Sequence, residues 1–186
     1  MAFTVVYDAC VLYPAPLRDL LIRIANIGLV RARWTDRILD ECFENILERR
    51  PDLKPEALAR TRQLMTEAVP DCLVSGYEEL IEGIDLPDPD DRHVVAAAIR
   101  CGAQVIVTFN LDDFPADRLR RYHVEAQHPD DFVLDHIDLS PGTVVRAVEE
   151  QMAALRNPPI DLPTLLDTLR GIGLVQSVAR LRGLFY

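Results

Sequence analysis

The side chains best able to do chemistry in this sequence are carboxylates scattered beside predicted strand ends. Asp8 directly follows the apolar run FTVVY. A charge there is poorly solvated unless it faces a cleft, although an Asp also suits capping of the next turn. Asp91 opens a segment in which Val94, Val95 and Ala98 follow three, four and seven residues on. It therefore shares the apolar face one turn earlier and points along the sheet-facing side. Capping is again the alternative, because free N–H groups and the helix dipole favour an acidic residue there. Asn110 and Asp113 follow the run QVIVT, at the kind of strand end where α/β sites are built, and either also suits a turn. Glu41 sits on a predicted helix over 35–49 whose core face is Leu39, Cys42, Phe43 and Ile46. It falls off that face with Arg37, Asn45 and Glu48, which by periodicity is a solvated position. Asp85, Asp88 and Asp90 read as a solvated loop.

Few other chemistries have residues to carry them. There is no phosphate-binding, dinucleotide-binding or nucleophile-elbow glycine motif and no HExxH. The histidines (His93, His123, His128, His136) lack metal spacing and read as surface or loop residues. The cysteines (Cys10, Cys42, Cys72, Cys101) form no CxxC pair and read as buried free thiols.

The elements that must position these groups alternate between strand and helix. A strand over 3–7 leads to a helix entered at Pro14 and Pro16, with Leu17, Leu20, Leu21, Ile24 and Ile27 inward and Gly28 as the stop. After a short connection to Trp34, Thr35 caps the helix over 35–49. Pro51 and Pro55 break the chain, and a helix over 56–69 places Leu58, Leu64, Met65 and Ala68 inward. A short strand over 72–75, an acidic proline loop over 85–91, a helix over 92–100 stopped by Gly102, a strand over 104–108 and an edge element over 124–127 follow. This order predicts βαβ units and a parallel sheet with all strand C-termini on one edge. The character changes near Ser140. Pro141 opens a helix with Val144, Val145, Val148, Met152 and Leu155, and helical pieces over 164–170 and 174–182 come after a loop. The expected organisation is an α/β core over 1–134 and a helical extension over 135–186.

The 186 residues are 49% hydrophobic, enough for one domain with an appendage. No apolar run reaches the roughly 20 residues of a membrane helix. The start lacks a basic segment followed by an apolar stretch, so a cytoplasmic protein is expected. The net charge of −10, from 30 acidic and 20 basic residues, argues against a protein that coats nucleic acid with positive charge and favours a basic protein partner.

Four segments in order, VVYDACVLYP, Ile38-Leu39-Asp40-Glu41, DPDDRHVVAAAI and VIVTFNLDDFP, with Gly102 between the last two, resemble PIN-domain proteins. The chain is most similar to the VapC-like toxins of bacterial toxin–antitoxin pairs, over about residues 3–134. The resemblance implies a three-layer α/β/α sandwich around a mostly parallel sheet. It makes Asp8 and Asp91 the metal-binding pair, Glu41 a third acidic member and Asp113 the fourth carboxylate. Asn110, where many relatives place an Asp, is left to position water or phosphate. The cofactor implied is Mg²⁺ or Mn²⁺, since hard cations choose oxygen ligands and relieve the repulsion among clustered carboxylates. The activity implied is a metal-dependent endoribonuclease that cuts RNA with activated water, leaving a 5′-phosphate and a 3′-hydroxyl. An acidic metal site fits the negative charge of the chain. The partners implied are an RNA substrate, a cognate antitoxin that presents a helix and a basic residue, and a possible homodimer. For RNA contact the sequence offers Arg118, Arg120 and Arg121, or Arg31 and Arg33 with Trp34 as a stacking face. The alternative is a non-catalytic PIN-like module for binding protein or RNA, its metal site degraded at Asn110. A dehalogenase-like phosphatase does not fit, because Cys10 stands where DxD or DxT is needed.

Overall fold

The structure, a computed structural model, describes residues 3–185; Met1 and Ala2, part of the segment read for a leader, lie outside them. β1 (Phe3–Tyr7) is apolar but for Thr4 and buries Val5, Val6 and Tyr7, as suits a strand covered on both faces. A short helix α1 (Ala9–Leu12) turns directly off its end. α2 (Ala15–Asn26) buries Leu17, Leu20, Leu21 and Ile24, and Gly28, at φ 86°, turns the chain into β2 (Val30–Arg33). β2 was not predicted. Its two arginines interrupt the apolar run, and only Val30 and Ala32 face the core.

α3 (Asp36–Arg49) is capped by Thr35, whose hydroxyl accepts from Ile38 N at 3.0 Å. α4 (Pro55–Ala68) buries Leu58 and Met65. Leu64 and Ala68, expected inward, instead line an apolar groove of about 520 Å³ shared with Ile22, Leu155 and Ile160. They adjoin the core residues of α4, but both stay exposed along the groove. The strand expected over 72–75 is reduced to an isolated parallel bridge between Trp34 and Leu73. A 3₁₀ turn, Pro89–Asp91, leads into α5 (Arg92–Cys101), which Gly102 ends in the left-handed region at φ 65°. β3 (Val105–Val107) and β4 (Glu125–Gln127) complete the sheet, with α6 (Ala116–Leu119) between them in the chain.

All four strands are parallel, in the order β2-β1-β3-β4, with Val6 opposite both Arg33 and Ile106. The order reverses at β1, so right-handed crossovers put α2 on one face and α5 on the other. Tyr7 reports the first face: its hydroxyl donates to Leu21 O, and its ring meets Phe132 edge-on. The result is the expected three-layer α/β/α arrangement. Reversal of strand order between β1 and β3 also opens the crevice in which α/β proteins bind ligands.

α7 (Pro129–Leu139), not predicted, packs on the α2 face and crosses the expected division between residues 134 and 135. α8 (Pro141–Ala154), α9 (Leu162–Ile172) and α10 (Val175–Phe185) follow; α9 runs longer at both ends than periodicity indicated, and α10 starts one residue later and ends three residues later. They bury Val144, Val148, Leu165, Leu169 and Leu181 against α2 and α7. Asp130 ties the two parts together: its carboxylate accepts from Gln176 N at 2.9 Å and Ser177 N at 2.8 Å, the open N–H groups at the start of α10. No helix among the described residues is long and apolar enough to cross a membrane.

Candidate active site

Parallel pairing of β1 with β3 sets Tyr7 opposite Val107, so their continuations emerge together at the carboxyl edge of the sheet. Asp8 is buried there with 5% exposure, and both of its oxygens are held. Oδ1 accepts from Ala9 N at 2.8 Å, the capping bond allowed for in the sequence. Oδ2 accepts from the Thr108 hydroxyl at 2.8 Å and from the Cys10 thiol at 3.1 Å. Asp8 is thus both a cap and a fixed carboxylate facing a cleft. Burial, with the Asp8 charge beside it, pushes the Cys10 thiol up to about 12, so Cys10 is a neutral donor and not a nucleophile.

Asp91 closes the 3₁₀ turn before α5 but makes no side-chain capping bond. Among the described residues its carboxylate accepts no hydrogen bond, so capping does not account for it. Partial burial first, then the charges of Asp8, Asp113, Asp88 and Glu41, push its carboxyl up to about 7. A cation beside such a group favours its ionised form and relieves the repulsion from its neighbours.

Glu41 reaches the same cleft from the middle of α3, against the expectation of a solvated face. The face of α3 opposite the core is the cleft wall: Arg37, Glu41, Asn45 and Arg49, four residues apart, all line it. Half-burial alone would raise the Glu41 carboxyl, but His93 and Arg37 offset this and hold it below the usual range. Arg37 Nε lies 3.2 Å from Glu41 Oε1. His93 Nε2 lies 3.0 Å from the same oxygen, a close approach that is poorly aligned for a hydrogen bond. His93 is 1% exposed and His136 is 2% exposed, so the reading of these two histidines as surface residues was wrong. His93 precedes the apolar run over 94–99, and His136 packs its ring on Phe132 and Phe3, so in each case apolar neighbours exclude water. The signal available for His93 was its place at the head of that unbroken apolar run.

Asn110 is exposed on the cleft wall, its backbone N–H donating to Thr108 Oγ1 at 3.0 Å. Asp113 does not line the cleft, but its charge acts on Asp91 from the adjoining 3₁₀ turn Leu111–Asp113. Asp90, read as loop, also lines it. The whole cleft is about 620 Å³. The arginines expected to meet RNA do not line it. Arg118 and Arg121 turn to Asp85, and Arg33 turns to the carbonyls of Pro70 and Asp71. Trp34 is fully buried against Tyr7 and offers no stacking face.

The donor set suits a hard divalent cation: every carboxylate donor is oxygen, Asp91 has no competing partner, and its neighbours repel it. Among the described residues, however, no three His, Cys, Asp or Glu side chains are gathered closely enough to hold an ion as they stand.

Residues 4–112 match the family model described as PIN domain. The chain is a member of the PIN-domain family. Residues 129–183 match a second model, described as VapC50 C-terminal domain, which begins at α7 and takes in the helical extension. The chain is also similar to a protein called putative ribonuclease VapC50 of Mycobacterium tuberculosis (strain ATCC 25618 / H37Rv), 43% identical over 110 residues. That alignment covers 59% of this chain and 64% of the relative, under two thirds of the relative's length. No solved structure matches the chain. The two matched models follow one another along the chain in the same order as the two parts of the fold.

Proposed function

We propose that the cleft is the centre of a metal-dependent endoribonuclease, and that the protein is the toxin of a toxin–antitoxin pair. The observation that carries the reading is Asp91: an unpartnered carboxylate, pushed up to about 7 beside Asp8, Asp113 and Glu41, at the carboxyl edge of a parallel sheet. Membership of the PIN family and the name of the relative, putative ribonuclease, support it. In this reading residues 1–134 form the nuclease domain and 135–186 the helical extension. An RNA substrate puts the work in the cytoplasm.

Asp8 and Asp91 are the residues that would hold Mg²⁺ or Mn²⁺. When bound, such an ion polarises a phosphodiester and makes water a better nucleophile. The chain's own residues do the rest. Thr108, Ala9 N and Cys10 fix the orientation of Asp8. Glu41, kept ionised by His93 and Arg37, accepts a proton or hydrogen bond from water in the cleft. Asp113 adds negative charge, and the Asn110 amide orients water or phosphate. The antitoxin in this account supplies a basic side chain to the acidic cleft, consistent with the net charge of −10.

The test is incubation of the full chain with single-stranded RNA and Mn²⁺. The expected products carry 5′-phosphate and 3′-hydroxyl ends and vanish with EDTA. Asp91→Asn should lower the rate by at least about a hundredfold, the scale of loss on removing a catalytic group. One observation favours a second reading, a non-catalytic module for RNA or protein: the lack of a ready-made cluster of three ligands among the described residues, with Asn110 in place of a carboxylate. RNA that stays intact with Mn²⁺ present, yet binds the protein, would establish that reading instead.

A further inference from the structure

The cleft has two ends of opposite character. At one end stand the carboxylates Asp8, Asp91 and Glu41; at the other, Arg49 lies with its Cζ 5.8 Å from the centroid of the Tyr13 ring. Arg37 and Arg49 are the two cations of the lining, and they differ. Arg37 is committed to Glu41 and to the Asp90 carbonyl. Arg49 makes no ion pair among the described residues, although the chain carries 30 acidic residues against 20 basic ones. Tyr13 caps α1, immediately after the strand end that carries Asp8, so ring and carboxylate share one short rigid segment. Along α3, Arg49 is eight residues from Glu41, about 12 Å at 1.5 Å per residue. This is too far to touch a phosphate reacting at the carboxylates, and within reach of a neighbouring one.

We infer that Arg49, seated on the Tyr13 ring, is the phosphate contact for a nucleotide flanking the cut in a single-stranded RNA. The inference rests on the reading of the cleft as a ribonuclease site. Three arguments carry it. Asp8 is 5% exposed at the cleft floor, so the reactive groups are open to an unpaired strand laid between the walls and not to a duplex resting on them. An acidic protein needs a local cation to keep the strand in place, and the arginines assigned to that task by sequence turn away from the cleft. An arginine whose guanidinium already lies over an aromatic ring, Arg49 Cζ being 5.8 Å from the Tyr13 centroid, loses less freedom when it meets phosphate than one free in solvent.

The experiment uses the full chain and a labelled, unstructured RNA oligonucleotide of mixed sequence. Affinity is measured across a salt series with Ca²⁺ in place of Mn²⁺, and cleavage is measured with Mn²⁺. Loss of one phosphate contact from a single strand lowers the slope of log K against log salt by about 0.7. Arg49→Gln should show that drop, Arg49→Lys should keep the slope, and Tyr13→Leu should weaken binding while leaving the slope in place. Arg60→Gln, on the far helix α4, should change nothing. In cleavage, Arg49→Gln should raise KM severalfold with kcat nearly constant, as expected for a contact remote from the chemistry. An unchanged slope in Arg49→Gln, or a wild-type protein that does not bind the oligonucleotide, overturns the inference. If the slope falls as expected but no RNA is cut, the subsite stands and the nuclease reading fails. If RNA is cut and the slope does not move, the nuclease reading stands and the subsite fails.

Discussion

Asp91 holds a proton near neutral pH for a reason that can be tested without RNA. Its carboxyl lies at about 7 in the folded protein, from partial burial and the charges around it, against about 3.9 in an unfolded chain. Between those values the folded state binds a proton that the unfolded state has lost. Stability of the metal-free protein therefore falls as pH rises from about 4 through 7, and this contribution is level above that. Asp91→Asn removes the dependence. In urea unfolding with chelator present, the variant should be more stable than its parent at pH 8 and close to it at pH 4; equal stability at pH 8 contradicts the assignment. Thr108→Val tests the neighbouring carboxylate. It deletes the hydroxyl that donates to Asp8 at 2.8 Å, and should cost about 1.5–3 kcal/mol in unfolding, the value of a hydrogen bond to a charged group. Mn²⁺ affinity should fall by about tenfold or more, as when other outer partners of metal ligands are removed. Asp8 and Asp91 were legible in the sequence because a strand end and a helix start each leave a local signal. Glu41 was not, because a helical wheel says which side faces away from the core but not whether that side meets water or a cleft. Arg49 was hidden for the same reason, one turn beyond Asn45 on the face that carries Glu41.

Among the elements, α3 does the most to shape the site, since its inner face builds the core and its outer face builds the cleft wall. Helices with strong apolar periodicity and clear caps, α2 and α3 among them, were readable to within a residue or two. β2 was not, because an edge strand of four residues with two arginines lacks the run that marks a buried strand. α7 escaped notice because its apolar residues, Phe132, Val133 and Ile137, are interleaved with Asp130, Asp131, Asp135 and Asp138. One of those acids has a structural task that no pattern announces, the capping of α10 from 46 residues away. Asp130→Ala should cost about 2 kcal/mol, the upper range for loss of a helix cap, because two backbone donors are left open near the core. Urea unfolding checks the value, and proteolysis should cut near Leu174 sooner in the variant. A variant as stable and as resistant as its parent would mean that α10 is anchored by its apolar face alone.

At the scale of the whole molecule, an α/β sheet supplies the site and three added helices cover one of its helical layers. The parallel sheet and its reactive edge followed from the alternation of elements in the sequence, whereas the docking of the extension depends on pairings between distant segments, such as Gln151 with Pro16 O at 2.8 Å. Truncation after Leu139 would uncover apolar residues of α2 and α7 that now meet Val144, Val148 and Leu181. The shortened protein should lose solubility or associate, as seen by sedimentation; a soluble product with an unchanged oligomeric state would show that the extension is not needed to cover them. The central claim is that the cleft is a cation site built on Asp8 and Asp91. Its most direct test is calorimetric titration of the metal-free protein with Mn²⁺ at pH 7.5, alongside Asp8→Asn and Asp91→Asn. The account predicts saturable binding to the wild type that both substitutions abolish or weaken by at least about tenfold. Absence of binding to the wild type, or binding that neither substitution alters, would contradict it.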